Sequence, residues 1–418
     1  MHHGLSKIAI FALFVSHAPN ALSAPLECME RFKFEDFVIG AWWGPDPSES
    51  NYKAYVDAGF NVLMTYRNRA NAKYGEDYQN PDLEFELAEK LNIPMMLDTY
   101  MKNETPWGGI APDPPSEHPT HHPARLTQLQ WLLKRYGKSP VLVGILLGDN
   151  CGLHDYMAKN AAYMEEHASG LFPWMSTNPS VDSQAKVPMP LLTTQNYPFL
   201  YQVDQPEFVK RKAYCDRLEQ DRQCAEKFNM ALWPFLNCTD RVSPSQLRFQ
   251  AYACVAYGAQ GIWYFHYNAN VWDPKTERPG ILYETAKESN QHISAMGRRL
   301  VGRRCVGVFH EKDKEEARNA LKPDQEALLA ELSEGIMAGV LVPEERLKAK
   351  DPEAESIVVV DKRTVKPGED EPPIRKVFVS LPRKRAVTVL TEKGQRKEKT
   401  KRVELMLKAG GGALLSFR

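Results

Sequence analysis

Two aspartates, Asp98 and Asp149, each stand at the end of an apolar run, in Asp98-Thr99-Tyr100 and Asp149-Asn150. Carboxylates at such positions can pass a proton to a bound substrate or take one from it. Other apolar runs end in rings and amides: Trp42-Trp43, Tyr66-Arg67-Asn68, Thr177-Asn178, Gln195-Asn196-Tyr197, Asn237 and His266-Tyr267-Asn268. Indole and phenol rings cover the apolar C–H faces of a pyranose, while amides and carboxylates bond its hydroxyls. This inventory suits a saccharide ligand. It assigns acid–base work to Asp149, then Asp98, and contact work to Trp42, Trp43, Tyr66, Arg67, Tyr100, Asn150, Asn178, Asn196, Tyr197, Asn237, His266 and Tyr267.

Two rival chemistries are weaker. His118-Pro119-Thr120-His121-His122-Pro123 is dense in imidazole, but its prolines deny it the helical spacing that presents two ligands on one face. Cys151 has His154 three residues on, yet a thiolate nucleophile also needs an orienting group and an oxyanion site. Neither a metal nor a cofactor is therefore expected. The seven cysteines are Cys28, Cys151, Cys215, Cys224, Cys238, Cys254 and Cys305, with no Cys-x-x-Cys pair to suggest a zinc ribbon or a redox site. Some disulfide pairing is expected of an exported chain, but spacing does not fix it.

The elements that must position these residues alternate regularly. Apolar runs span Phe37–Trp43, Phe60–Tyr66, Ile93–Thr99, Val141–Gly148, Phe172–Thr177, Leu191–Tyr197, Met230–Leu236 and Gly261–Tyr267. Between them lie helical stretches at Ser48–Ala58, Asp82–Leu91, Ala124–Tyr136, Leu153–His167, Pro206–Phe228 and Ser243–Tyr257, and Leu282–Leu300 follows the last. The connection around Asp182–Pro190 is too short and proline-rich for a helix. Near-continuous apolar strands are buried on both faces, as parallel sheets require. Eight such units predict a (β/α)8 TIM barrel, with chemistry at the C-terminal strand ends. A doubly wound open sheet would carry a glycine-rich phosphate turn after its first strand, where this chain has Trp42-Trp43-Gly44-Pro45-Asp46.

Composition divides the chain. Of 418 residues, 43% are hydrophobic, and 53 basic residues balance 53 acidic ones, which argues against a nucleic-acid partner. Yet 45 of the 106 charged residues fall in positions 301–418, while all eight tryptophans precede them. The tail reads as a helix at Asp324–Leu332 and then short strands at Met337–Val342, Ile357–Asp361, Val377–Leu381, Ala386–Leu390, Val403–Leu407 and Ala413–Phe417. That pattern predicts an antiparallel β-sandwich, with the basic run Arg396–Arg402 as a solvated hairpin tip.

The N-terminus reads as a secretory signal peptide, with Lys7, the apolar Ile8–Val15 and small residues at Ala21–Ala24; cleavage is expected after Ser23. The expected layout is thus signal peptide 1–23, barrel 24–300 and sandwich 301–418. The chain would be secreted or periplasmic, without membrane attachment once cleaved.

Several stretches carry a resemblance. They are Val38-Ile39-Gly40-Ala41-Trp42-Trp43, Tyr55-Val56-Asp57-Ala58-Gly59-Phe60-Asn61, Gly144–Asn150, Asn196-Tyr197-Pro198-Phe199 and Ala256–Tyr267. Over residues 36–300 the chain resembles barrel glycoside hydrolases of the β-galactosidase-like superfamily, in particular secreted bacterial glycosidase-like proteins. The resemblance implies hydrolysis of O-glycosidic bonds in an oligo- or polysaccharide. A retaining member carries a Glu at the end of strand four and another at the end of strand seven. Here those positions read Asp149-Asn150 and Leu236-Asn237-Cys238. An amide can neither protonate a leaving oxygen nor form a glycosyl ester. The alternative is accordingly a carbohydrate-binding pseudoenzyme that has lost both groups.

Overall fold

The computed structural model describes residues 37–42, 44–65, 81–98, 126–149, 154–177, 189–239, 241–268, 270–300, 302–311, 329–343 and 355–417. The first part runs β1 (Val38–Trp42), α1 (Glu49–Asp57), β2 (Leu63–Met64), α2 (Pro81–Leu91), β3 (Met95–Asp98), α3 (Leu126–Tyr136), β4 (Leu142–Asp149), α4 (His154–His167) and β5 (Phe172–Thr177). It continues with β6 (Leu191–Thr194), α5 (Pro198–Tyr201), α6 (Glu207–Lys227), β7 (Ala231–Leu232), β8 (Phe235–Asn237), α7 (Pro244–Ala256) and β9 (Gly261–Phe265). A small hairpin, β10 (Trp272–Asp273) and β11 (Arg278–Pro279), precedes α8 (Tyr283–Leu300). The expected alternation is present wherever the chain is described; the signal peptide and the connection at 178–188 lie outside.

The strands form two parallel sheets, β2-β3-β4-β5-β6-β7 and β1-β9-β8. The ladder is interrupted at two places. The seventh run is split by Trp233-Pro234, because proline has no N–H to give; the Pro234 carbonyl nevertheless accepts from the Trp263 N–H at 3.0 Å. Between β1 and β2 a single bridge pairs Gly40 with Val62. There Asn61 reinforces the seam: its Oδ1 accepts from the Ile39 N–H at 2.7 Å and its Nδ2 donates to the Phe37 carbonyl at 2.8 Å.

One face of these strands packs upon itself, bringing together Val38, Met64, Met96, Leu146, Phe172, Trp174, Trp233 and Trp263. Small residues make room for the indoles: a Cβ at Gly40 would stand 2.5 Å from the Trp263 ring. The opposite face packs beneath the helices. Ser48 caps α1, accepting the Asn51 N–H at 3.2 Å, and Gly59 turns the chain out of it at φ +81, a left-handed value that glycine tolerates. No described helix is long and apolar enough to cross a membrane.

The tail comprises β12 (Arg303–His310), β13 (Glu331–Leu332), β14 (Ile336–Pro343), β15 (Ser356–Asp361), β16 (Arg375–Thr391), β17 (Gly394–Leu407) and β18 (Gly412–Phe417). They form one antiparallel sheet, ordered β12-β14-β15-β18-β16-β13, with β17 on the other side of β16. The antiparallel strands expected of the tail are present, and they enclose a core of their own that includes Ile336, Val359, Val379, Val389, Leu405 and Leu415. Its long strand β16 unites two predicted strands through a register shift between Ser380 and Arg385. Leu332, expected in a helix, is in strand β13, paired with Val379; residues 324–328 lie outside the described residues. The basic run is not a tip. Arg396–Arg402 lies along β17, whose only strand partner among the described residues is β16.

Helix α7 joins the two parts. Every residue from Ser245 to Ala256 is buried, because the parallel strands cover one side of the helix and the tail sheet the other. A capping box at Ser243 and Gln246 starts it, with Pro244 at the first helical position. From its first turn Arg248 donates to the Ala409 carbonyl at 2.8 Å and pairs with Glu371.

Candidate functional site

The candidate site lies at the C-terminal ends of the parallel strands. Trp42 ends β1, Asp98 ends β3 and Asp149 ends β4. Asn196 and Tyr197 follow β6, Asn237 ends β8, and His266 and Tyr267 follow β9. Trp43, Tyr66, Arg67, Tyr100, Asn150 and Asn178, with the histidine-rich loop and Cys151, lie outside the described residues, and Asp149 is described through its backbone alone.

An aromatic floor supports these ends. Trp42 meets Trp174 edge-on at 5.9 Å and Phe235 at 5.7 Å, while Tyr197 stacks on Phe265 at 5.1 Å. Trp42 is 4% exposed and Tyr197 5%, so their rings are spent on packing. A sugar platform needs an open face. Trp42 and Tyr197 therefore form the base of the site, and the half-buried ring among them is Phe265.

Polar groups are held at fixed places above this floor. The Asp98 N–H donates to Thr65 Oγ1 at 2.8 Å, tying the third strand end to the second, and the residue is buried. Gln195 Nε2 donates to Ser176 Oγ at 2.7 Å, tying the sixth to the fifth. At the seventh end, the Asn237 N–H donates to Gln250 Oε1 at 2.9 Å and Gln250 Nε2 donates back to the Asn237 carbonyl at 3.1 Å. Asn237 Oδ1 accepts from the Thr239 N–H at 3.1 Å, leaving its buried Nδ2 without an acceptor. His266 is half-buried, and burial pushes its imidazole below the usual histidine range, favouring the neutral ring. Cys238 Sγ donates to the His266 carbonyl at 3.1 Å.

Two expected contact residues face elsewhere. Tyr267 is fully buried under the helices, edge-on to Tyr55 at 5.0 Å and stacked with Trp272 at 6.2 Å. The strand ends at Phe265, so its alternation no longer governs residue 267. Asn196 points its amide at helix α6, donating to the Ala213 carbonyl at 3.4 Å. Both are structural anchors. The residues missed from sequence are Thr65, Ser176, Gln195, Gln250 and Phe265. Phe265 was detectable: Gly261, Trp263 and Phe265 alternate, and two of the three are small or aromatic partners in the inward cluster.

Among the described residues no three His, Cys, Asp or Glu side chains converge as a metal site would require. Cys215, Cys224, Cys238, Cys254 and Cys305 are buried and form no disulfide with one another.

No family model matches the chain. No curated protein matches it either. Solved structures with a similar fold include an alpha-amylase from Malbranchea cinnamomea (TM-score 0.47, 11% identity, 93% of this chain and 97% of that one). An endo-beta-1,4-mannanase from Thermotoga petrophila gives a TM-score of 0.42 at 9% identity, over 87% of this chain and 97% of that one. An HpcH/HpaI aldolase from Desulfitobacterium hafniense gives 0.37 at 10%, over 57% and 89%.

Proposed function

We propose that the two parallel sheets close into a (β/α)8 barrel and that its C-terminal mouth acts on a carbohydrate, hydrolysing O-glycosidic bonds. Kinship with the β-galactosidase-like superfamily and export through residues 1–23 belong to the same proposal. The observation that carries it is the placement of Asp98 and Asp149 on adjacent paired strands. Asp98 is in register with Leu146, and Asp149, beyond a register shift, with Ser176. Two strand steps along and one strand across separate their backbones by roughly 8 Å. An inverting pair needs room for a water between its carboxyl groups and a retaining pair does not, so the stereochemistry of the product tells which pair this is. Asp149 then takes the general acid or base role and Asp98 the complementary one.

The test is a screen of glycans and aryl glycosides on purified protein, with Asp149→Asn and Asp98→Asn alongside. General acid–base groups contribute about 10²–10⁴-fold, so either variant loses that much turnover. Undiminished turnover in Asp149→Asn removes Asp149 from catalysis. A second reading, a non-catalytic carbohydrate-binding protein, is favoured by Asn237. Its amide stands where a retaining enzyme holds its nucleophile, and its buried Nδ2 has no acceptor among the described residues. Glycan binding without turnover selects that reading.

A further inference from the structure

We propose a second binding site, for a saccharide unit carrying a sulfate or carboxylate, in the seam between the end of α8 and the tail sheet. Its saccharide part rests on the carbohydrate reading above; its anion part does not. A groove of about 390 Å³ opens there, a size within the range of small-molecule sites. Three cations line it: Arg299 from the last turn of α8, Arg303 from the start of β12 and Lys397 from β17.

The cations are held in place but incompletely neutralised. Arg299 Nη2 donates to Gln395 Oε1 at 2.5 Å, an uncharged partner. Arg303 Nε donates to the Arg299 carbonyl at 2.9 Å and its Nη1 pairs with Glu355 at 2.8 Å. Glu355 is thus one acid against three bases, and Lys397 has no ion pair among the described residues. Register places Lys397 and Ser416 on either side of Thr388 across the sheet. Ser416 lines the groove with a hydroxyl that has no hydrogen-bond partner, although its oxygen is buried. Phe417 closes the wall, its ring covered by the Arg385 guanidinium at 4.5 Å.

Fixed guanidinium forks, a free ammonium and an unspent hydroxyl form a donor-only lining suited to an oxyanion. The volume suits a sugar ring bearing one. Lys397, Lys399 and Lys401 are all exposed on β17, and of the three Lys397 lines the groove.

The test is titration calorimetry of the full chain with dextran sulfate, polygalacturonate, unmodified dextran and inorganic sulfate, at low and moderate salt. Dextran sulfate or polygalacturonate should bind and unmodified dextran should not; the stronger of the two distinguishes sulfate from carboxylate. Arg299→Ala with Lys397→Ala should weaken binding about tenfold or more, since charge-assisted bonds are lost. Lys399→Ala with Lys401→Ala should change it by less than about twofold. Equal weakening by both pairs overturns the proposal in favour of a diffuse basic face. So does inorganic sulfate binding as tightly as the charged saccharides, and so does no binding at all. Asp149→Asn separates the two readings: it should leave charged-saccharide affinity unchanged whatever it does to turnover at the mouth. Denaturation midpoints matching the parent establish that each variant is folded.

Discussion

Replacing Asn61 with alanine should loosen the seam between the first and second strands. The Asn61 side chain there partners two backbone groups, the Ile39 N–H and the Phe37 carbonyl, at 2.7 and 2.8 Å. Ile39 and Phe37 are buried, at 0% and 4% exposure, so both groups lose their partners inside the fold. Each stranded polar group costs about 1–3 kcal/mol. Asn61 itself is half-buried, so water can reach part of the gap, which puts the total near the lower end at about 2–3 kcal/mol. Urea unfolding followed by tryptophan fluorescence measures it, and the midpoint should fall with the slope unchanged. Asn61→Asp adds a sharper check. Ionised, its second oxygen faces the Phe37 carbonyl and repels it; protonated, it donates to that carbonyl. The folded-state pKa is therefore raised above the unfolded value of about 3.9. The penalty should be small below about pH 4 and grow as pH rises through the folded pKa. A midpoint in Asn61→Ala within error of the parent, or an Asn61→Asp penalty that does not depend on pH, refutes the assignment of this seam.

Three further outcomes follow from packing and burial. Asp221 is 2% exposed, and burial lifts its carboxyl to about 6 despite the Arg217 partner at 2.8 Å. A raised folded pKa means stability lost as pH climbs from about 4 to 6, so Asp221→Asn should gain about 3 kcal/mol on the parent over that interval in urea titrations at several pH values. Gly40→Ala sets a Cβ 2.5 Å from the Trp263 ring and should destabilise by about 1–3 kcal/mol with a shifted tryptophan emission, as fluorescence-monitored unfolding will register. Burial raises the Cys254 and Cys305 thiols to about 12, and Cys215, Cys224 and Cys238 are buried too. In an Ellman's reagent assay these five should react slowly in native protein and rapidly in urea.

The parallel half was legible because its strands are buried on both faces and its helices, α7 apart, on one, so polarity marks most of their borders. The tail was legible in its strands and not in their joining. Pro382-Arg383-Lys384 reads as a turn, yet β16 runs straight through it. The register shifts between Ser380 and Arg385, so the proline's missing N–H removes no ladder bond. The basic run Arg396–Arg402 reads as a loop because its charges hide the pleat. It forms strand β17 with β16 as its only strand partner among the described residues, where lysines and arginines discourage pairing with another chain. At the site, position along the chain was readable but direction was not. Asn196 and Tyr197 are neighbours, yet one reaches out to α6 and the other in to Phe265. Hydrophobic pattern does not distinguish a ring that floors a site from one that faces a ligand, because both follow an apolar strand.

The tail sheet is tied to the candidate site through α7. Gln250 clamps both backbone groups of Asn237, and Gln250 can hold that position because α7 is fixed along its length. Two residues earlier, Arg248 binds the Ala409 carbonyl and Glu371 of the tail. Gly410 approaches so closely that a Cβ would stand 2.1 Å from the Ser245 carbonyl, and its φ of +71 favours glycine as well. Tyr252, one turn beyond Arg248, donates to Glu392 at 3.2 Å while bonding His292 of α8 at 2.8 Å. The seventh strand end is therefore tied to the tail through α7. A site whose amide nitrogen must meet a ligand oxygen at one distance gains from such a clamp, because a strand end fixed on both backbone groups cannot drift to satisfy its own side chain.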